Sequence, residues 1–195
     1  MNRANMVFAA TAAIALSSCG PKAAVTTNST TIDSSVSSDT TLTSNADTTT
    51  AAPLPSAAQT FVNTAAASDA FEIATSKLAL DNATSASIKK FASQMITAHE
   101  GSTAKLKTVT AGLSPALTPD PTLTADQQTK LDAMKTSKGK DFDTAYIAAQ
   151  QGGHQATLDV LKAYAASGDV PALKAFATGL VPTVTAHLNM ANALK

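Results

Sequence analysis

The sequence is poor in the side chains that most binding chemistry uses. Its 195 residues include one cysteine, no tryptophan, two tyrosines and three histidines. Glu72 and Glu100 are its two glutamates. One cysteine excludes an intramolecular disulfide framework and any zinc or iron–sulfur site built on several thiolates. The 14 basic residues equal the 14 acidic ones. No basic stripe exists, so the electrostatic footprint of a nucleic-acid-binding protein is missing. No Gly-x-Ser-x-Gly elbow, P-loop or dinucleotide fingerprint occurs, and no catalytic residue is assigned. Aromatics supply 4% of the chain against 44% hydrophobic residues in all. An alanine-rich, aromatic-poor chain of this kind suits closely packed helices.

The N-terminus reads as an address. Arg3 precedes the apolar run Met6–Leu16, which falls short of the about 20 residues a membrane-spanning helix needs. A charged start and a short apolar run predict a secretory signal peptide over residues 1–18. Leu16-Ser17-Ser18-Cys19 follows and resembles the bacterial lipobox, which implies cleavage before Cys19 and its acylation. Several acyl chains hold firmly, since each buried methylene contributes about 0.8 kcal/mol. Gly20 after the cysteine implies, by the same resemblance, an outer-membrane lipoprotein facing the periplasm. The membrane is then a partner through the N-terminal lipid, and no nucleic-acid partner is expected.

Residues 19–56 read as the lipidated cysteine and a tether. Between Thr26 and Thr50, 16 of 25 residues are Ser or Thr. Ile32, Val36 and Leu42 have no period, and Asp33, Asp39 and Asp47 keep the segment hydrated. Such a stretch cannot bury enough surface to offset its ordering entropy, which predicts disorder. A flexible coil of this length would span roughly 30–35 Å.

From residue 57 to 195 the spacing predicts helices throughout. The first covers about 57–81 and the second about 84–112, each with apolar residues at helical spacing. Three prolines, Pro115, Pro119 and Pro121, mark a loop. Thr124 and Gln127 form a candidate capping box for a short helix over about 124–136. The third long helix covers about 140–167 and ends at Gly168. The fourth follows, with Asp169 as the expected cap and Pro171 in its first turn. Pro182 inside it is expected to kink it. The fold class is therefore all-α. We expect an antiparallel up-down four-helix bundle with an extra short helix between the second and third long helices.

The three histidines, His99, His154 and His187, fall on three different long helices. Helix rise places His99 about 24 Å from the first interhelix turn, with Glu72 at about 16 Å and Asp69 at about 21 Å. From the last turn, His154 lies about 21 Å along and His187 about 28 Å. With both turns at the same end, the three imidazoles share a layer, while Glu72 sits a turn or more away. Neutral imidazoles with a carboxylate suit zinc, copper or ferrous iron. The alternative is that each histidine is a hydrogen-bonded core residue. Di-iron bundles need Glu-x-x-His on two helices. Here Ile96, Gln151 and Val184 stand three before the histidines, so that centre is excluded. Gly152-Gly153 reads as a close approach of another helix or a local bend, and Asp143 with Tyr146 as ties to a neighbouring helix.

Phe71-Glu72-Ile73, Lys90-Phe91-Ala92 with Met95 and His99, Phe142-Asp143 with Tyr146 and His154, and Pro182-Thr183 with His187-Leu188 together resemble a bacterial family called domain of unknown function 4142. The family is also labelled predicted outer membrane protein and placed in the ferritin-like superfamily. The resemblance implies a ferritin-like bundle and supports the His and Glu positions over about 59–194. It implies no reaction. The family pattern places Asp before the second-helix histidine, where this chain has Ala98. Two readings follow. One is a non-catalytic interaction or envelope-maintenance lipoprotein. The alternative is a mononuclear metal-binding module for one divalent transition metal, held by His99, His154 and His187 with Glu72 or Asp69.

Overall fold

The computed structural model describes residues 56–195. The expected signal peptide, Cys19 and the tether up to residue 55 lie outside the described residues. Five helices follow in order: α1 (Ala57–Asn82), α2 (Ala86–Ala111), α3 (Ala125–Thr136), α4 (Gly139–Ser167) and α5 (Pro171–Asn192). No strand occurs among the described residues. The chain is all-helical there, as its spacing predicts.

Local chemistry sets most helix ends. Ser56 caps α1 by accepting from the Gln59 amide at 3.1 Å. The Thr124 hydroxyl accepts from the Gln127 amide at 3.2 Å, and the Gln127 side chain accepts from the Thr124 amide at 2.9 Å. This is the capping box expected from sequence, and it satisfies two orphan donors at once. Pro171 opens α5, but Asp169 does not cap it. Its carboxylate instead accepts from the Tyr164 hydroxyl at 2.8 Å. Gly168 ends α4 without a left-handed φ. A Cβ there would stand 2.5 Å from the Tyr164 ring, so glycine is required for space. Helix α5 continues through Pro182. The carbonyl four residues earlier belongs to exposed Thr178, where water can replace the lost donor.

Cross-helix pairs fix the directions. Phe61 stacks on Tyr164, Ser68 bonds Thr157 and Ser76 bonds Tyr146. Ascending α1 therefore means descending α4, and the two are antiparallel. Lys174 with Ala166 and Gln151 with Ala191 show the same for α4 and α5. Helices α1 and α2 are joined by Ala83–Ser85 alone and pack side by side. Helix α5 also packs on α2. Each long helix thus lies antiparallel to both of its neighbours.

The connectivity corrects one expectation. Helix α4 starts beside the end of α1: Lys138 donates to Asn82, and Thr84 donates to Asp143. The α1–α2 and α4–α5 turns therefore lie at opposite ends, and the chain does not run up-down-up-down. The segment between α2 and α4 crosses the length of the bundle. It leaves beside the start of α1, where Gln59 and Asn63 meet Thr118 and Asp120. Then α3 runs back along α1 and α4, burying Met134 beside Ala79, Ile88 and Tyr146. A connection long enough to span the bundle frees α4 from starting where α2 ends, which gives a bundle with one crossover.

Two apolar clusters fill the interior. One gathers Phe61, Val62, Leu106, Leu161, Leu173 and Phe176. The other gathers Ile88, Phe91, Met95, Phe142, Tyr146 and Ala191. Each large side chain so buried contributes about 1.5–3 kcal/mol. Along α1, α2, α4 and α5, a polar layer falls between the two: Asp69, Glu72, His99, Gln150, His154 and His187, all buried.

A candidate metal centre in the polar layer

Helices α2, α4 and α5 each deliver one histidine to this layer. His99 continues the buried stripe Ile88–Ala92–Met95 on α2, at helical spacing. His154 follows Tyr146 and Gln150 on α4, and His187 follows Val184 on α5. The ring centroids form a nearly equilateral triangle with sides of 5.5, 5.6 and 5.9 Å. One ligating nitrogen from each ring lies within 4.8 Å of those from the other two.

Hydrogen bonds fix which nitrogens of His99 and His154 remain free. The Asp69 carboxylate accepts from His99 Nδ1 at 2.8 Å, and Thr103 donates to its other oxygen at 3.0 Å. The Gln150 carbonyl accepts from His154 Nδ1 at 2.8 Å. Holding the proton on Nδ1 leaves the Nε2 lone pair free on both rings. His99 Nε2, His154 Nε2 and His187 Nδ1 are all buried and have no hydrogen-bond partner. An unsatisfied buried polar group costs about 1–3 kcal/mol, so three in one place need a cause. A cation among them supplies one.

Electrostatics agree with neutral ligands on two helices. Burial pushes His154 down to about 4 against the support of the Gln150 carbonyl, with the charge on His99 adding to the effect. Burial and the His99 charge likewise push His187 to about 4. His99 goes the other way. Burial opposes its charge, but the Asp69 hydrogen bond and the carboxylates of Glu72 and Asp69 outweigh burial and raise it.

Glu72 is not part of the three-nitrogen group. Its Oε1 lies 4.0 Å from His154 Nδ1, behind the ring rather than among the free nitrogens. Neither carboxylate oxygen has a hydrogen-bond partner, and the residue is 1% exposed. Burial raises it to about 7, opposed chiefly by the charge on His99. Space for it comes from Gly153, where a Cβ would stand 2.5 Å from Oε1. The close approach expected at Gly152-Gly153 is therefore the Glu72 side chain of α1. Asp143 and Tyr146 tie helices together through Thr84 and Ser76, and Glu100 is exposed. Sequence spacing did not single out Gln150 or Thr103. Thr103 lies one helical turn beyond His99 on the same face, a signal that was available. Gln150 acts through its backbone carbonyl, which side-chain type cannot reveal.

A family model, Domain of unknown function (DUF4142), matches residues 43–194. The chain belongs to this family. Among proteins with curated descriptions none matches the sequence. The DUF4142 domain is similar in fold to two solved structures. One is described as CopM in the Cu(II)-bound form, 18% identical, with a TM-score of 0.58 over 69% of this chain and 92% of that one. The other is described as CopM in the Cu(I)-bound form, 21% identical, with a TM-score of 0.54 over 69% and 91%. At these identities the likeness concerns the fold. The residues of this DUF4142 chain that could hold one transition metal are His99, His154 and His187.

Proposed function

We propose that this chain binds a single transition-metal ion, copper in the first place, through His99 Nε2, His154 Nε2 and one ring nitrogen of His187. The observation that carries the reading is that one nitrogen of each of the three rings converges on the others, and that each ring holds a buried nitrogen without a partner. A core of hydrogen-bonded histidines accounts for the Nδ1 atoms of His99 and His154 and leaves the inner nitrogens unexplained. The donor set fits the group. Imidazole suits zinc, copper and iron, and affinity at nitrogen sites peaks at Cu(II). The copper-bound state of the similarly folded structures supports the choice. An ion held by all three nitrogens at bonds of about 2.1 Å would draw the rings closer together. When bound, the ion supplies a positive charge in a buried layer. The chain's own residues orient it: Asp69 and the Gln150 carbonyl set two tautomers, and Thr103 steadies Asp69.

Titration of tag-free protein with Cu(II), and with Cu(I) under reducing conditions, tests this. One ion per chain is expected, lost in His99→Ala, His154→Ala and His187→Ala. Equal, sub-stoichiometric metal in the parent and all three variants overturns it.

In the same reading, the domain works in the cell envelope, held on a tether acylated at Cys19 and anchored in the outer membrane. The Leu16–Cys19 motif, with Gly20 after it, supports this. Radiolabelled palmitate should enter the parent protein and not Cys19→Ala, and fractionation should find only the variant soluble.

A further inference from the structure

Resting on the metal reading above, we infer that the site keeps one coordination position open and that this position takes a small anion of two or three atoms. A cavity of about 40 Å³ adjoins the cluster. Its walls include His99 and His187, with Asp69 and Ser102, and it reaches Ala98 on α2 and Thr183 on α5. His154 does not line it; that ring is packed edge-on against Phe91 instead. The cluster is therefore closed on one side and faces a void on another.

The void leads outward. Ala98 and Ser102 are half-buried and Thr183 is exposed, so the path ends at the surface between α2 and α5. Ala98 lines the path with a single methyl group, where a longer side chain would occupy space. A water needs about 10–15 Å³ of such space, so the cavity holds roughly three waters or a ligand of that size.

Charge selects an anion. Three neutral imidazoles leave a divalent ion its full charge, and a bound cation of that size dominates the local field. The carboxylate on the cavity wall is already engaged by His99 and Thr103. Three protein nitrogens also leave a tetrahedral ion one ligand short, the arrangement that distinguishes an open site from a closed structural one.

Azide titration into the Cu(II)-loaded, full-length protein tests the inference. A saturable azide-to-copper charge-transfer band and a changed electron paramagnetic resonance spectrum are expected, with copper still bound after dialysis. Ala98→Leu should bind one copper as the parent does and weaken azide at least tenfold. Ser102→Leu serves the same purpose should Ala98→Leu fail to fold. Stoichiometric copper whose spectrum azide leaves unchanged overturns the inference and spares the metal reading. Azide that strips the copper, or azide affinity unaltered in a folded plugging variant, also overturns it. Absence of bound copper removes the metal reading and this inference together.

Discussion

His187 differs from the other two histidines in what holds it. Asp69 and the Gln150 carbonyl fix His99 and His154, while no hydrogen bond among the described residues holds His187. The two kinds of support predict different losses. Removing a ligand, as in His154→Ala, should abolish binding. Asp69→Ala keeps all three ligand nitrogens and loses the carboxylate that orients His99, so metal affinity should fall by about 10–100-fold. Competition with a chelator of known affinity measures both. A variant at Asp69 as tight as the parent would show that the carboxylate does not orient His99. Glu72 yields a second prediction at this scale, for the metal-free protein. Its folded value is raised from 4.5 to about 7. Ionising it therefore opposes folding, and stability is lost as pH rises through about 7. Glu72→Gln should stabilise the apo domain at pH 8 by up to about 3 kcal/mol, at about 1.4 kcal/mol per unit, and by little at pH 4. Denaturant melts at both pH values decide this, and an equal effect at both would refute it. His154 and His187 run opposite: held near 4 against 6.5, they favour folding above pH 6.5 and lose that contribution as pH falls through about 4. Asp69 was legible from its depth on α1. The buried face of α1 was less so, because Asp69, Glu72, Thr75 and Ser76 lie on it while Leu80 is 39% exposed. Apolar residues mark a face only where the core is apolar.

On the helices, adjacent glycines of α4 have opposite meanings. A Cβ on Gly152 would meet nothing within 4 Å, whereas one on Gly153 would stand 2.5 Å from Glu72 Oε1. Gly152→Ala should stabilise by up to about 1 kcal/mol, the helix-propensity difference. Gly153→Ala gains the same propensity but must displace a buried carboxylate, and crowding of a packed interior costs about 1–3 kcal/mol. It should therefore be neutral to destabilising. In a Glu72→Ala background the obstacle is gone and Gly153→Ala should become stabilising. Thermal melts of the two single variants, Glu72→Ala and the double variant measure this coupling. Additive effects would mean that α1 and α4 do not meet there. The common depth of the histidines was legible even though the turns were expected at one end. His99 and His154 sit near the middle of their helices, so their depth measures about the same from either end. Glu72 looked a turn too far because helix rise counts backbone level alone, and its long side chain covers the difference. In the structure it stands directly opposite Gly153.

For the domain as a whole, sequence periodicity gave helix number and bounds within two residues, because apolar spacing, capping chemistry and proline positions are local. The crossover was not legible. The length of the 112–138 segment permits either direction for α4, and only packing of α3 along α1 and α4 decides it. That topology gives the metal site a mechanical role. Helices α1 and α2 form one hairpin, α4 and α5 another, and His99 belongs to the first while His154 and His187 belong to the second. An ion among them joins the two hairpins, and the unfolded chain offers no such assembled site. Free metal at 100 times its dissociation constant should therefore add about 2.7 kcal/mol. At roughly 3–4 °C per kcal/mol for a domain of this size, the melting temperature should rise by about 10 °C. Chelator should reverse the rise. His187→Ala should melt at one temperature with or without metal, since two nitrogens on two hairpins hold the ion too weakly. Scanning calorimetry at fixed free copper provides the measurement. A parent protein whose melt ignores copper would mean that the converging nitrogens do not hold an ion in the folded state.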